Sequence, residues 1–464
     1  MKTLRRWSAA LLLLFSAGVL AQVVTLPEVT RVELDNGVVL VLLEKPDVPL
    51  IGVEASIRGG AITDPDGRGG MADLLACLLE KGAGERSAAE FAEAVDSVGG
   101  TLSASAGLES ITISGQFLAR DADLMIELLV DMLRSPTLDD QEVQKLRDRS
   151  IDLLRAAKDT NLRLLTPVYG NGFLFDDHLY GNPVFGSEAS LAQISPSDVR
   201  GYYQDYFGGD RLVISIAGEF ESVAMLAKLH AAFSDWPAAT APLPTIAAPE
   251  PVTGRRVLLV DKPGAAQSYF WIGNVGVSRS FESRAELNIA NSIFGEQFTS
   301  MLMDELRTRS GLTYGARSSL VRHSMGGSLA ILSYTKTEST VEAIDLALSL
   351  LAKLRAEGIA DERITSGKNY ILGQFAPRLE TAEQLAGLFA TLETYGLDET
   401  YINNYGDAVA GAGGEAINAV IKAVYPEPDN LVFAIIGDAE LIREHVAKYG
   451  SITEIAITEP RFRP

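Results

Sequence analysis

Sulfur and imidazole are scarce in this chain. One cysteine, Cys77, stands among 464 residues. No intrachain disulfide can form, and a zinc site built from several thiolates is excluded. The four histidines, His178, His230, His323 and His445, are scattered, with no two at the spacing of metal ligands. Positive charge is also short. Lys and Arg number 40 against 61 Asp and Glu, a net charge of −21. A surface of that sign repels nucleic acid and anionic lipid, and tolerates neutral or cationic peptides. After the first twenty or so residues, no apolar run approaches the roughly 20 residues needed to span a bilayer.

Apolar residues are plentiful. They make up 47% of the chain, with 22% charged, which fits a folded globular protein. The length allows about two to four domains with real cores. The chain opens MKTLRRWSAALLLLFSAGVLAQ. Lys2, Arg5 and Arg6 form a basic start, Ser8 to Leu20 is apolar, and Val19-Leu20-Ala21 ends in a small residue. This predicts a cleaved secretory signal over residues 1–21, a mature chain from Gln22, a periplasmic location and no membrane insertion after cleavage. An uncleaved anchor is the alternative.

Residues 236–254, WPAATAPLPTIAAPEPVTG, carry five prolines and read as a stiff extended linker. The pieces on either side echo each other. LVLLEKPD (40–47) resembles VLLVDKPG (257–264), and LVISIAGEF (212–220) resembles LVFAIIGDA (431–439). Two duplicated domains are expected, residues 22–235 and 255–464. Within the first, strands are expected over 31–43, broken by a turn at Asp35-Asn36-Gly37, and over 49–57, 101–106 and 110–117. Helices are expected over 70–81, 88–98, 122–134 and 141–158. The class is α+β, an antiparallel-rich sheet with helices on one face.

The helix GGMADLLACLLEKG (69–82) has two faces. Met71, Leu74, Leu75, Leu78 and Leu79 form a core stripe, and Asp73, Ala76, Cys77 and Glu80 line the other side. Taken alone, Asp73 complements the helix dipole and Cys77 is a small semi-buried residue. The wider stretch ASIRGGAITDPDGRGGMADLLACLLEKGAGERSAAEF resembles the active-site region of the pitrilysin/insulinase metallopeptidases, the inverzincins. Their H-x-x-E-H motif sits in a frame that Gly70, Ala72, Lys81 and Gly82 reproduce here. HLYGNPVFGS (178–187) and the closing IAGEF extend the similarity over nearly all of the mature chain.

The resemblance implies that the catalytic letters have been replaced. Asp73 stands at the first zinc-binding His, Ala76 at the general-base Glu and Cys77 at the second His. The later helix that brings a third ligand has Asp152-Leu153 there, with Leu153 at a position that cannot bind metal. A hydrolytic zinc takes three protein ligands, an open position and a base, so no zinc is expected in this chain.

The second half keeps a different signature. In FGEQFTSMLMDELRTRSGLTYGARSSL (294–320), Thr299 or Ser300 can cap a helix, Asp304 and Glu305 follow early in it, and Gly311 can stop it. Leu312 to Leu320 reads as a strand. Leu306, Arg307, Gly311, Leu312 and Tyr314 resemble the family's Arg/Tyr signature. In the family that pair holds the substrate backbone and steadies the developing oxyanion. Alone, Arg307 fits a helix C-terminus and Tyr314 fits ordinary packing.

Some family members divide a four-domain clam-shell between two polypeptides, one with the zinc motif and one with the Arg/Tyr pair. The resemblance implies the second kind: half of a clam-shell chamber, Arg307 and Tyr314 orienting peptide, and a homologous partner with an intact H-x-x-E-H that holds the zinc. The family's peptide-binding edge strand corresponds to 101–106, where Ser103 replaces the usual Asn and weakens that substrate contact. A non-catalytic scaffold or peptide-binding protein of the same fold is the rival reading. A self-sufficient peptidase with an unusual metal at Asp73 and Cys77 is a third.

Overall fold

The computed structural model describes residues 25–464. The expected signal segment, residues 1–21, lies outside the described residues. Two six-stranded mixed sheets organise the rest. The first is built from β1 (Thr30–Glu33), β2 (Val39–Glu44), β3 (Leu50–Arg58), β4 (Thr101–Ala106), β5 (Ser110–Leu118) and β6 (Leu212–Gly218), in the order β1-β2-β6-β3-β5-β4. The second uses β7 (Arg255–Asp261), β8 (Gln267–Gly276), β9 (Ala316–Arg322), β10 (Gly327–Lys336), β11 (Leu431–Gly437) and β12 (Ser451–Ala456), in the order β9-β10-β8-β11-β7-β12.

The two sequence echoes fall on equivalent strands. LVLLE and VLLVD are β2 and β7; LVISIAG and LVFAIIG are β6 and β11. In both sheets this pair is parallel, Leu40 opposite Ile214 and Val257 opposite Phe433. The outermost strand beside it differs. β1 runs antiparallel to β2, whereas β12 runs parallel to β7.

The helices of the first half include α1 (Met71–Leu79), α2 (Ala88–Asp96), α3 (Ala122–Arg134), α4 (Asp140–Thr160) and α5 (Leu162–Phe175). The second half supplies α6 (Arg284–Asn291), running into a π-helical turn over Ser292–Glu296. It also supplies α7 (Met301–Met303), which widens to π-helix over Asp304–Arg309, and α8 (Ala382–Thr394). Ser300 caps α7 by accepting from the Met303 N–H at 3.3 Å.

Helices do not keep to one face of each sheet, as the sequence pattern suggested. β2 is buried on both sides. Leu40, Leu42, Ile214 and Ile216 join the main core, while Val39, Val41, Leu43 and Val213 meet Leu385 and Phe389 of α8, which comes from the second half. The exchange is reciprocal. Val257, Leu259, Phe433 and Ile435 face the second half's own helices, whereas Leu258, Val260, Ala434 and Trp271 join the first half's core, where α5 lies. This is why these strands read as unbroken apolar runs rather than alternating ones. Close approach sets two small residues. A Cβ on Gly52 would lie 2.5 Å from the Glu383 N, and one on Gly170 would lie 2.5 Å from the Trp271 ring.

Polar bonds also tie the halves. The buried Glu109 carboxylate accepts from the Ser324 N–H at 3.1 Å and from the Tyr180 hydroxyl at 2.8 Å. Residues 237–254 hold no helix or strand. They are nonetheless anchored, with Trp236 buried, the Ala239 N–H on Asp210 at 2.7 Å and the Val252 N–H on Asn274 at 2.9 Å. Among the described residues, no helix is long and apolar enough to cross a membrane.

Candidate functional site

The N-terminus of α1 is held by a buried carboxylate. Gly70 adopts φ 93°, and the Asp64 carboxylate accepts from the Gly70 and Ala72 N–H groups at 2.7 and 2.9 Å. That carboxylate satisfies donors the helix leaves free at its N-terminus. Burial nevertheless pushes Asp64 up to about 7, and the nearby Asp73 charge adds to the shift. Burial likewise pushes Asp73 up to about 6. The apolar stripe packs inward as its spacing predicts.

Two positions differ from expectation. Ala76 is fully buried and offers no surface to a substrate. Cys77 is exposed rather than semi-buried. Enough protein surrounds its sulfur to push the thiol up to about 11, and the charges of Asp73 and Glu80 add to this. A thiol held so high stays protonated near neutral pH. Leu153 is exposed on α4, and its neighbour Asp152 pairs with Arg155 at 3.2 Å. Among the described residues, no group of three or more His, Cys, Asp or Glu could hold a metal ion. The residues present do not fit a hydrolytic zinc, which takes three protein ligands.

Glu80 has a part that the sequence did not suggest. Its carboxylate reaches β4 and accepts from the Ala104 N–H at 2.7 Å. β4 is the last strand of its sheet, so this bond occupies a backbone donor on a free edge. Ser103 is exposed on the same strand, opposite Ser114.

Arg307 and Tyr314 do come together. Both line one cavity of about 350 Å³, to which Asp73, Cys77 and Ser103 do not contribute. The helical stretch of α7 ends with the Ser310 N–H bonding Glu305 O at 3.0 Å and the Leu312 N–H bonding Leu306 O at 2.9 Å. Gly311 turns at φ 65°. Residues 312–315 are therefore committed to closing the helix, and β9 starts at Ala316 rather than at Leu312. The Thr313 hydroxyl fixes the turn through the Gly315 N–H and carbonyl, both at 3.0 Å. Tyr314 stands out from this turn, 81% exposed. The Arg307 guanidinium lies 4.6 Å from the centre of the Phe298 ring. Tyr269 and Tyr334 stack at 5.4 Å on the cavity wall, with Arg163 of α5 5.9 Å from the Tyr334 ring.

Arg163 and Arg317 line this cavity although nothing in the sequence marked them. Arg163 lies in the other half of the chain and arrives through the exchange of α5. The arrangement offers N–H and O–H donors to a carbonyl or carboxylate, with aromatic surfaces beside them.

Residues 39–173 match the family model described as insulinase (peptidase family M16), and residues 193–371 match the one described as peptidase M16 inactive domain. A Bacillus subtilis (strain 168) protein named "Uncharacterized zinc protease YmxG" is 26% identical over 358 residues, covering 76% of this chain and 85% of that protein. The Helicobacter pylori "Non-peptidase homolog YmxG" is 22% identical over 415 residues, covering 88% and 94%. Among solved structures, a peptidase M16 inactive domain from Pseudomonas fluorescens superposes with a TM-score of 0.81 at 18% identity, covering 89% of this chain and 98% of that one. The periplasmic protease PqqL from Escherichia coli gives 0.75 at 16% identity, covering 89% of this chain and 46% of that one. The chain belongs to the insulinase (M16) peptidase family.

Proposed function

We propose that this protein is the non-zinc subunit of a two-part periplasmic metallopeptidase. It binds and orients peptide for hydrolysis by a homologous partner that carries H-x-x-E-H. One observation carries the reading: Arg307 and Tyr314 line one cavity, while α1 offers neither a ligand set nor a base. The length relation to PqqL, of which this chain spans about half, fits a two-part arrangement.

In this account the partner supplies zinc, water and general base. The Arg307 guanidinium and the Tyr314 hydroxyl donate to the substrate carbonyl as it gains negative charge. Preorganised donors of this kind lower a barrier by about 3–4 kcal/mol. The test is to co-express the chain with such a partner and follow hydrolysis of a fluorogenic peptide. Arg307→Ala is expected to lower kcat about 100-fold or more. Unchanged hydrolysis rejects the orienting role. Cell fractionation checks the periplasmic location.

A non-catalytic scaffold or peptide-binding role is the second reading. The Glu80 bond to the Ala104 N–H favours it, because it occupies the edge to which family members add a peptide strand. A chain with no partner gene beside it, retaining peptide binding without hydrolysis in any complex, supports this reading over the first.

A further inference from the structure

The free edge of the second sheet, β9, is flanked by two adjoining cavities of about 350 and 450 Å³ that share Glu296 and Arg317. Five arginines line them: Arg163 and Arg307 in the first, Arg322 and Arg378 in the second, Arg317 in both. Among the described residues none of the five forms an ion pair. Elsewhere some arginines pair with carboxylates, as Arg31 does with Glu393 and Arg86 with Asp131, and others, Arg58, Arg149 and Arg256 among them, do not. What marks the groove is that five guanidinium groups without a carboxylate share one lining, in a chain of net charge −21. Glu296, exposed and unpaired, is the single carboxylate on the lining.

The arginines are held ready for a ligand. Arg307 rests by Phe298 and Arg163 by Tyr334. Contact with an aromatic face fixes the plane of a guanidinium and leaves its N–H edge free for bidentate bonding. Arg322 is mostly buried. It donates to Asn288 at 3.2 Å through one terminal nitrogen, and its other terminal nitrogen is buried with no partner. A buried cation without a counter-charge is unfavourable, and an incoming anion relieves it.

We infer that this groove binds an acidic peptide segment lying along β9, its carboxylates taken by the forks of Arg317, Arg322 and Arg378. The overall charge pointed towards neutral or cationic peptides, and the local field here has the opposite sign. A nucleic acid fits less well, because a polyanion meets the acidic surface over its whole length. That the ligand is a peptide rests on the proposed function. The preference for carboxylates rests on the arginines alone.

The test is fluorescence anisotropy on the full purified chain. Three probes are compared: a labelled twelve-residue peptide rich in Asp and Glu, its Asn/Gln counterpart, and a single-stranded oligonucleotide. The acidic peptide is expected to bind at least tenfold more tightly than the amide peptide and the oligonucleotide. Arg317→Gln with Arg378→Gln, both at exposed positions, should lose that tenfold margin and leave the melting temperature unchanged. Equal binding of the acidic and amide peptides, equal binding of the oligonucleotide, or an unaffected double variant each overturns the inference. If amide and acidic peptides bind alike and Arg307→Ala still impairs hydrolysis in the complex, only this inference falls. If the acidic preference stands and Arg307→Ala does nothing, only the orienting role falls.

Discussion

The Glu80 carboxylate accepts the Ala104 backbone N–H at 2.7 Å, joining the end of α1 to the free edge of β4. A side chain at the end of α1 thus occupies a backbone donor on the edge of the first sheet. Glu80→Ala is expected to speed hydrogen exchange at the Ala104 amide and to lower stability by about 1–2 kcal/mol, the range for a charge-assisted bond. Glu80→Gln should retain most of the protection. NMR-detected exchange on both variants checks this.

The exchanged helices give the second expectation. Gly170 of α5 lies against Trp271 of β8, and a Cβ there would stand 2.5 Å from the indole. Gly170→Ala forces the ring or the helix to move and should lower stability by about 1–3 kcal/mol. Because α5 covers the other half's sheet, one cooperative transition should shift to lower denaturant. Two separate transitions in the wild type would contradict this coupling.

Two buried carboxyls set a pH dependence. Asp64 is raised from 3.8 to about 7 and Asp73 from 3.8 to about 6, so the folded chain holds protons that the unfolded chain has released between those values. Their contribution to stability is therefore complete below about pH 4 and lost as pH rises towards 7. Asp64→Asn should flatten the slope of unfolding free energy across that window. Denaturant titrations at steps between pH 4 and 8 measure it, and an unchanged slope would count against the assignment.

Cys77 should react slowly despite its exposure. With its thiol at about 11, little thiolate forms at pH 8, and alkylation should be far slower than for a free cysteine. Asp73→Asn removes one of the charges that raise the thiol and should speed the reaction. The same protein, dialysed against zinc, should retain much less than one equivalent by elemental analysis.

Local pattern carried much of the fold into the sequence. The spacing of Met71, Leu74, Leu75, Leu78 and Leu79 identifies α1 and its buried stripe, because helical period and burial are set within a few turns. The echo of LVLLE in VLLVD foretold equivalent strands. Those unbroken apolar runs also carried a sign of two-sided cover. At the site, Arg307 and Tyr314 were legible as a pair because they sit seven residues apart across one helix end. The backbone bonds that delay β9 to Ala316 were not legible, since they depend on how α7 unwinds into a wider turn.

The sequence by itself determined that the α1 segment carries no histidine, with Asp73 and Cys77 one turn apart on it, and that the chain repeats a strand-and-helix plan. Side-chain chemistry and short-range periodicity fix both. Tertiary structure alone decided that α5 and α8 change places, that Arg163 joins Arg307 and Arg317 at one cavity, and that Glu80 closes on β4. These contacts link residues of different elements, in some cases more than a hundred positions apart. They exist because each sheet has two apolar faces, and its own half covers only one of them.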